Sequence, residues 1–290
     1  MEYFEPKSIG DALSLLAKHG AEAKVIAGGT DVMVDIKFKE EPGCLVNIKK
    51  IPSLSGIHEN GGSLRIGALT TIREIETSAL VREKLPVLWE SSHQFASLQV
   101  RNTATIGGNI CRASPSGETL PPLLVLEAKA VLAFSDGEKT EPFMSFFQGP
   151  GKCSVGVKGL LTEIEIPYPP PGSKSVYLKH AVRGAMDIAM VGVAVLITPD
   201  AGKNNIQDVR IGLGAVAPTP IRAPKTEALL RGKPLGAVLL KEAAILAAAE
   251  SSPISDQRSS AEYRRWIVEA LTRRGLQQTW QAATGKEVAL

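Results

Sequence analysis

Two glycine-rich stretches, KVIAGGTD at residues 24–31 and RNTATIGGNI at residues 101–110, carry the strongest indications of how this chain folds. The first stretch places Gly28 and Gly29 directly after a short apolar segment with the length and composition of a buried strand. Phosphate groups bind backbone N–H donors at close range, and glycine allows that approach because it has no Cβ atom. Thr30 adds a hydroxyl donor. The stretch therefore predicts either an ordinary turn or a phosphate-binding loop.

The second stretch holds Gly107 and Gly108 between Thr105 and Asn109, whose side chains can hydrogen-bond an anion or a ribose. Glu118 follows shortly afterwards, and its carboxylate can accept hydrogen bonds from ribose hydroxyls. Alone, this stretch is equally compatible with a polar turn. Two such stretches in one α/β pattern favour a site for a dinucleotide with an extended pyrophosphate.

A third glycine-rich segment, GLGAVA at residues 212–217, matches the dinucleotide-binding pattern G-x-G-x-x-A. That pattern requires a helix to begin at its glycines. Pro218, Pro220 and Pro224 follow instead, and proline at this density prevents a helix from forming there. We therefore predict that the segment is not a Rossmann site. The sequence contains no P-loop motif either.

Helix and strand patterns alternate along the first half of the chain. Helices are predicted from a cap at Ser8 to Gly20 and over residues 71–76 and 85–96, strands over residues 24–27, 44–48 and 63–68, further apolar segments over residues 32–37 and 120–134, and a hairpin turn at residues 135–137. The prolines of YPPPG at residues 168–172 cannot lie in a helix or a central strand, which indicates a domain boundary.

The second half of the chain is predicted to contain a sheet and helices. Strands are predicted over residues 176–182, 189–198 and 208–216, helices over residues 235–250 and 259–278, and a loose tail over residues 279–290. We therefore expect one domain at residues 1–170, with subdomains at roughly 1–55 and 56–170, and a second domain at residues 171–290.

The composition excludes several classes of function. The 290 residues carry a formal net charge of only +3, which is too little for the basic surface of a nucleic-acid-binding protein. The longest apolar run, residues 188–198, is about half as long as a membrane-spanning helix. The start of the chain lacks the pattern of a signal peptide. We expect no nucleic-acid partner, no membrane span and a cytoplasmic location.

The reactive side chains show no catalytic or metal-binding spacing. Cys44, Cys111 and Cys153 are scattered, and the four histidines form no paired motif. The nucleophile pattern G-x-S-x-G is absent from the sequence. We therefore predict no metal site, no disulfide framework and no catalytic side chain in this chain.

An ordered set of motifs extends nearly from end to end. It consists of VIAGGTD at residues 25–31, RNTATIGGNI at 101–110, ASP at 113–115, LLTEIEIP at 160–167, K-x-x-x-R-x-x-x-D-I-A at 179–189, APTPIRA at 217–223 and SAEYRR at 260–265. The set resembles the FAD-binding, or medium, subunit of the molybdenum hydroxylases of the xanthine dehydrogenase and aerobic carbon monoxide dehydrogenase type. The resemblance implies an α+β fold, in which a two-subdomain FAD-binding α/β domain (PCMH-type) precedes a C-terminal domain of a three-stranded antiparallel sheet plus helices.

The resemblance also implies a non-covalent FAD site. It places the pyrophosphate on Val25, Ile26, Ala27, Gly28, Gly29, Thr30, Asp31 and Val32, further FAD contacts at Phe95, Ala104, Thr105, Gly108, Asn109 and Glu118, and Leu161 and Lys179 near the flavin. Lys179 is the candidate cation for the flavin N1 end. Glu118 stands where aspartate is more usual, and Arg112 stands where smaller residues are more usual. Three cysteines cannot supply the four thiolates of an additional iron–sulfur cluster, so FAD is the only redox centre expected in this chain.

The partners follow from the same resemblance. It implies a small subunit with [2Fe–2S] clusters and a large subunit with the molybdenum cofactor, assembled as a dimer of heterotrimers. Electrons are expected to pass from the clusters through FAD to NAD⁺ or another acceptor. The loop at residues 101–122 looks closer to xanthine dehydrogenase-like members, and the medium subunit of a carbon monoxide or aldehyde dehydrogenase is the alternative. Two other classes stay open, a stand-alone flavin oxidase or reductase and a scaffold subunit without redox function.

Overall fold

The computed structural model describes residues 1–38 and 41–288. In chain order, the strands are β1 (Glu2–Phe4), β2 (Ala23–Ile26), β3 (Cys44–Asn47), β4 (Ile57–Asn60), β5 (Ser63–Gly67), β6 (Lys129–Phe134), β7 (Gly137–Pro142), β8 (Phe147–Gly149), β9 (Lys152–Cys153), β10 (Leu160–Pro167), β11 (Lys174–His180), β12 (Val191–Pro199), β13 (Ile206–Gly214) and β14 (Ile221–Arg222). The helices are α1 (Ile9–His19), α2 (Val32–Phe38), α3 (Ile72–Thr77), α4 (Ala79–Lys84), α5 (Pro86–His93), α6 (Leu98–Arg101), α7 (Ile106–Arg112), α8 (Leu120–Val125), α9 (Phe143–Phe146), α10 (Pro224–Leu230), α11 (Ala237–Glu250) and α12 (Ala261–Thr284).

The chain divides into two compact units whose segments interleave. Unit 1 consists of Met1–Thr77, Ser97–Ser114 and Glu127–Pro167, and unit 2 consists of Ser78–Ala96, Pro115–Leu126 and Tyr168–Leu290. Because the units interleave, they do not test the continuous domain bounds at residues 1–170 and 171–290, which stay a prediction.

Unit 1 begins with a small parallel sheet in the order β1–β3–β2, against which α1 packs. The helix begins after Ser8, as predicted, because the Ser8 side chain accepts a hydrogen bond of 3.1 Å from the N–H of Asp11. Leu16 on α1 and Val46 on β3 are almost completely buried in the core between helix and sheet. The apolar segment predicted at residues 32–37 is the helix α2.

The second sheet of unit 1 is antiparallel, in the order β4–β5–β10–β6–β7. Phe134 pairs with Gly137 across the turn of the β6–β7 hairpin, so the turn predicted at residues 135–137 is confirmed. Along β10, Ile164 and Ile166 are fully buried while Glu163 and Glu165, which alternate with them, are partly exposed, as expected when one face of a strand packs on a core.

Unit 2 contains an antiparallel sheet in the order β11–β12–β13–β14. Every residue of β12 is buried, because α12 contacts this strand on one face of the sheet and α8 contacts it on the other. Gly275 on α12 lies against Val195, and a Cβ atom added to Gly275 would come within 2.9 Å of a Val195 methyl group. On the opposite face, Gly212 lies closer still to the backbone of Pro121 on α8.

The GLGAVA segment belongs to this sheet. β13 ends at Gly214, and the next helix, α10, begins only at Pro224. Gly212 and Gly214 therefore serve close packing, since Cβ atoms at these positions would lie 2.6 Å from Pro121 O and 2.7 Å from Pro121 Cγ. The prediction that this segment is not a Rossmann site is confirmed.

The C-terminal part of unit 2 differs from the prediction in two details. The three predicted strands are present, and β14 adds a short fourth strand next to β13. The loose tail predicted from residue 279 is wrong for its first half, because α12 continues to Thr284. Trp280 and Ala283 keep the extra turns in place, since they are 2% and 6% exposed. Residues 289–290 lie outside the described part of the chain.

Arg264, from the SAEYRR motif, connects three segments inside unit 2. Its guanidinium donates hydrogen bonds to Met190 O at 3.1 Å, to Ala215 O at 3.0 Å and to the Asp256 carboxylate at 2.9 Å. Burial would raise the pKa of Asp256, but hydrogen bonds from the Arg258 N–H and from Arg264 outweigh it and lower the pKa. Arg264 therefore acts as a structural residue whose charge is balanced by Asp256.

Candidate cofactor site

The first glycine loop of unit 1 connects β2 to α2. Gly29 has a φ of +76°, a left-handed conformation that glycine adopts without strain. Gly29 O and Asp31 O accept the first hydrogen bonds of α2, from the N–H groups of Met33 at 3.0 Å and Asp35 at 2.9 Å. The N–H groups of the loop itself have no acceptor inside the helix, because the first N–H groups of any helix lack intrahelical partners. These N–H groups can therefore donate hydrogen bonds to an anion such as a phosphate.

The second glycine loop runs antiparallel to residues 68–72 before it enters α7. Ile106 N–H donates to Thr70 O at 3.0 Å, and Gly107 N–H donates to Ala68 O at 2.9 Å. Gly107 is buried, and a Cβ atom there would lie 2.6 Å from Ala68 O. Gly107 is therefore required for packing, whereas its neighbour Gly108 is exposed and can face a ligand.

Thr105 caps the N-terminus of α7. Its Oγ1 accepts a hydrogen bond of 3.1 Å from the N–H of Gly108. From the sequence, we expected this hydroxyl to hydrogen-bond an anion or a ribose. Because a hydroxyl has one donor hydrogen and two acceptor lone pairs, the cap uses only an acceptor position and the O–H can still donate to an anion.

The two glycine loops meet at Gly28. A Cβ atom on Gly28 would lie 2.8 Å from Thr103 C and 3.0 Å from Ala104 Cα, and closer still to Thr103 O. Only glycine therefore allows the backbones of the two loops to pass each other at this point. Two segments that are far apart in the sequence thus form one backbone surface within unit 1. Gly29 and Thr30 directly follow Gly28, and Gly108 follows Thr103 by five residues.

Arg112 lies at the C-terminal end of α7 and forms ion pairs with the end of the first loop and with α2. Its guanidinium donates to the Asp35 carboxylate at 2.5 Å, and its Nε lies 3.4 Å from the Asp31 carboxylate. These contacts raise the pKa of Arg112, with the hydrogen bond to Asp35 as the largest cause. Sequence reasoning assigned this arginine no role. The only available signal was the i, i+4 spacing of the two aspartates, which puts both carboxylates on one side of α2.

Glu118 and Lys179 form a buried ion pair in unit 2. Their side chains are 10% and 9% exposed, and Lys179 Nζ donates to a Glu118 carboxylate oxygen at 2.8 Å. Nζ also donates to Gln94 O at 3.2 Å and to Asp187 O at 2.8 Å, which accounts for its three N–H donors. Burial raises the pKa of Glu118, although the charge and hydrogen bond of Lys179 oppose that rise.

The predicted site residues divide between the units. Unit 1 contains Val25, Ile26, Ala27, Gly28, Gly29, Thr30, Asp31, Val32, Ala104, Thr105, Gly108, Asn109 and Leu161, and unit 2 contains Phe95, Glu118 and Lys179. Phe95 and Leu161 are buried, at 8% and 3% exposed. In unit 1, the structure brings the two glycine loops together. In unit 2, it brings Glu118 and Lys179 together.

Comparisons with known proteins agree with this geometry. A family model described as the FAD binding domain in molybdopterin dehydrogenase matches residues 1–169, and one described as the CO dehydrogenase flavoprotein C-terminal domain matches residues 176–279. The chain belongs to the FAD-binding subunits of the molybdenum hydroxylases.

Individual members of the family match this flavoprotein subunit over almost its full length. A putative xanthine dehydrogenase FAD-binding subunit of Escherichia coli is 32% identical, with 98% of this chain and 97% of that protein covered. The carbon monoxide dehydrogenase medium chain of Hydrogenophaga pseudoflava is 33% identical, with 96% of each chain covered. A solved structure of carbon monoxide dehydrogenase from the same organism superimposes with a TM-score of 0.94, covering 98% of both chains at 33% identity. The predicted fold class is confirmed.

FAD is the cofactor of this flavoprotein subunit. The glycine loops of unit 1 are compatible with a phosphate chain, because Gly29 and Gly108 offer backbone without a Cβ atom and Gly28 lets the two loops lie against each other. Within residues 1–38 and 41–288, no helix has the length and apolar character to cross a membrane. The same described residues contain no group of three or more His, Cys, Asp or Glu side chains arranged to hold a metal ion.

Proposed function

We propose that this chain carries FAD in a complex with a small [2Fe–2S] subunit and a large molybdenum subunit, arranged as a dimer of heterotrimers. In this proposal, NAD⁺ or another acceptor receives the electrons that leave the complex. The observation that carries the proposal is the contact of the two glycine loops at Gly28 and Thr103, which creates one backbone surface for a phosphate chain.

The proposed pyrophosphate contacts are backbone N–H groups of the loop at residues 25–32. Gly108 lies exposed beside that loop and lets the phosphates approach because it has no Cβ atom, while its own N–H is held by Thr105 Oγ1. Thr30 and Thr105 add hydroxyl donors. The carboxylate of Asp31 would repel a phosphate, so we assign Arg112 the task of neutralising it through their 3.4 Å ion pair. Asn109 and Ala104 complete this part of the proposed site.

The proposed flavin and ribose contacts are Phe95, Glu118, Leu161 and Lys179. The bound flavin supplies the electron and hydride transfer, and the protein orients it and adjusts its potential. Lys179 is the proposed cation for the flavin N1 end. Its charge is partly balanced by Glu118 at 2.8 Å, so we propose that this carboxylate limits the positive potential that Lys179 contributes.

The substrate of the large subunit is proposed to be a purine of the xanthine class or carbon monoxide. The motifs of residues 101–122 favour a xanthine dehydrogenase-like complex, while the relatives named for xanthine and for carbon monoxide are 32% and 33% identical and support both substrates equally. An aldehyde is a further candidate substrate for the large subunit.

One experiment tests the proposed partners, cofactors and electron acceptor. The tagged chain is purified from its natural host, its partners are identified by mass spectrometry, and the complex is examined for its flavin absorption, iron and molybdenum. We expect two partner polypeptides, a yellow chain and FAD that is released by acid precipitation. Anaerobic addition of xanthine or of carbon monoxide should bleach the flavin for one substrate only, and NAD⁺ should restore its colour.

Other outcomes distinguish the remaining classes. A yellow chain that purifies alone and reduces oxygen with its own substrate would be a stand-alone oxidase or reductase. A colourless chain that still holds both partners would be a scaffold subunit. Either result would overturn the proposal.

A further inference from the structure

Two of the three cysteines lie together in unit 1, outside every role assigned so far. Cys111 belongs to the last turn of α7, and Cys153 belongs to the short strand β9. Both residues are partly exposed, although the Cys111 thiol itself is buried, whereas the whole of Cys44 is buried in the core. Neither the packing of unit 1 nor the proposed pyrophosphate contacts require a sulfur atom at either position.

The β8–β9 hairpin holds Cys153 against the end of α7. Cys153 pairs with Phe147 in the hairpin, and the neighbouring Gly151 N–H donates a hydrogen bond of 3.1 Å to Ala113 O, at the C-cap of α7. The Cys153 thiol donates a hydrogen bond to the backbone oxygen of Cys111 at 3.9 Å, and a hydrogen bond between the two side chains shifts the pKa values of both thiols. The two sulfur atoms are therefore neighbours that the backbone keeps in place.

The surroundings make the two thiols unequal. The hydrogen bond from Cys111 is the largest of the effects that lower the pKa of Cys153 to about 7, and the Val155 N–H and the charge of Lys24 act in the same direction, while burial and Glu141 oppose them. The same hydrogen bond, together with burial, raises the pKa of Cys111. The lowered pKa makes Cys153 a stronger source of thiolate near neutral pH than an ordinary thiol, whose pKa is about 8.5. Cys111 stays protonated and donates to it.

We propose that Cys153 and Cys111 form a redox-active thiol pair, in which Cys153 reacts with a hydroperoxide and Cys111 then closes an intramolecular disulfide. In the first step, the Cys153 thiolate attacks the peroxide, so that an S–O bond forms, the O–O bond breaks and the alkoxide or hydroxide that leaves takes up a proton. In the second step, Cys111 attacks the Cys153 sulfur, so that the S–S bond forms, the S–O bond breaks and water leaves with the Cys111 proton. The two thiols lose two electrons, and these reduce the peroxide bond.

The test uses the full-length chain and hydrogen peroxide as the probe. After treatment, the unfolded chain is labelled with a maleimide, and its peptides are mapped by mass spectrometry without reduction. We expect two of the three thiols to become unreactive, a Cys111–Cys153 peptide to appear and dithiothreitol to restore both thiols. Alkylation of Cys153 by iodoacetamide should reach half of its maximal rate near the pH at which this thiol titrates, at about 7.

Two variants separate the roles of the thiols. In Cys111→Ser, Cys153 should accumulate as a sulfenic acid that dimedone captures, because no second thiol is available to close the disulfide. In Cys44→Ser, the matched control, the disulfide should form as in the parent chain. The proposal is overturned if peroxide leaves all thiols of the parent chain free, if the disulfide contains Cys44, or if the peroxide-treated Cys111→Ser chain gives no dimedone adduct at Cys153. The parent chain alone decides the first two outcomes, so the test does not depend on the folding of a variant.

Discussion

Replacing Gly28 with alanine tests whether the contact between the two glycine loops creates the phosphate-binding surface. The added Cβ atom would lie 2.8 Å from Thr103 C and 3.0 Å from Ala104 Cα, too close for a carbon atom of a side chain, with Thr103 O nearer still. The two loops must then move apart by on the order of 1 Å, since overpacked atoms are relieved by backbone shifts.

The size of the effect on binding follows from this shift. A displacement on the order of 1 Å removes at least one backbone hydrogen bond to the pyrophosphate, and a hydrogen bond to a charged group contributes about 1.5–3 kcal/mol. This loss corresponds to roughly 10- to 150-fold weaker FAD binding. The overpacking itself costs about 1–3 kcal/mol of folding free energy. The fold should survive, because Thr103 lies in an exposed loop that can yield.

The assay is a titration of the flavin-free chain with FAD, followed through quenching of the flavin fluorescence. Thermal unfolding of the same flavin-free samples checks that the variant is folded. Gly10→Ala is the matched control, because a Cβ atom at Gly10 meets nothing nearer than Ser8 Oγ at 3.9 Å. If Gly28→Ala bound FAD as tightly as the parent chain, the steric argument for the joined loops would be refuted.

Three further substitutions test other parts of the molecule. Gly108→Val should yield a folded chain that purifies without flavin, because the exposed side chain would cover the proposed phosphate surface, and full flavin occupancy would contradict this. Lys179→Met should lower the midpoint potential of the bound flavin, measured by anaerobic redox titration, because it removes the cation that favours the reduced anion, and an unchanged potential would contradict the role of Lys179. Asp256→Asn should reduce the free energy of unfolding by about 1.5–3 kcal/mol at neutral pH, because the buried Arg264 loses a charged acceptor. The pKa of Asp256 is lowered from 3.8, so its contribution is present above that pH and is lost as the pH falls through the lowered pKa. Urea denaturation from about pH 7 to about pH 3 should therefore show the difference between variant and parent shrinking, and a constant difference would contradict the assigned ion pair.

Features determined by a few adjacent residues could be predicted from the sequence. The cap at Ser8 and the turn at residues 135–137 depend on local hydrogen bonding and backbone conformation. The rejection of GLGAVA at residues 212–217 as a nucleotide site rested on the prolines that follow it, and β13 indeed ends without a helix. Proline acts on its own backbone, so its effect needs no knowledge of the rest of the fold.

Features that depend on distant segments could not be predicted. The sequence treats Gly107 and Gly108 alike, but Gly107 is buried against Ala68 while Gly108 is exposed, and only the pairing with residues 68–72 separates them. The expectation for Lys179 included the flavin but not Glu118, which lies 61 residues earlier in the chain. Nor does any local pattern show that the segment Ser78–Ala96 belongs to unit 2.

The interleaving of the two units has a consequence for how the protein is made. The helices α5 and α8 leave the ribosome long before β11, β12 and β13, the strands that they contact within unit 2. Every residue of α8 is buried in the finished fold, and of its partners within unit 2 only α5 precedes it, so the nascent chain must carry this apolar helix without its strands while roughly 65 to 90 further residues, at about 5–20 per second, are translated. For the same reason, a fragment cut at residue 170 would keep α8 and lose its sheet. We expect such a fragment to aggregate, and the newborn subunit to need a chaperone until β13 is complete.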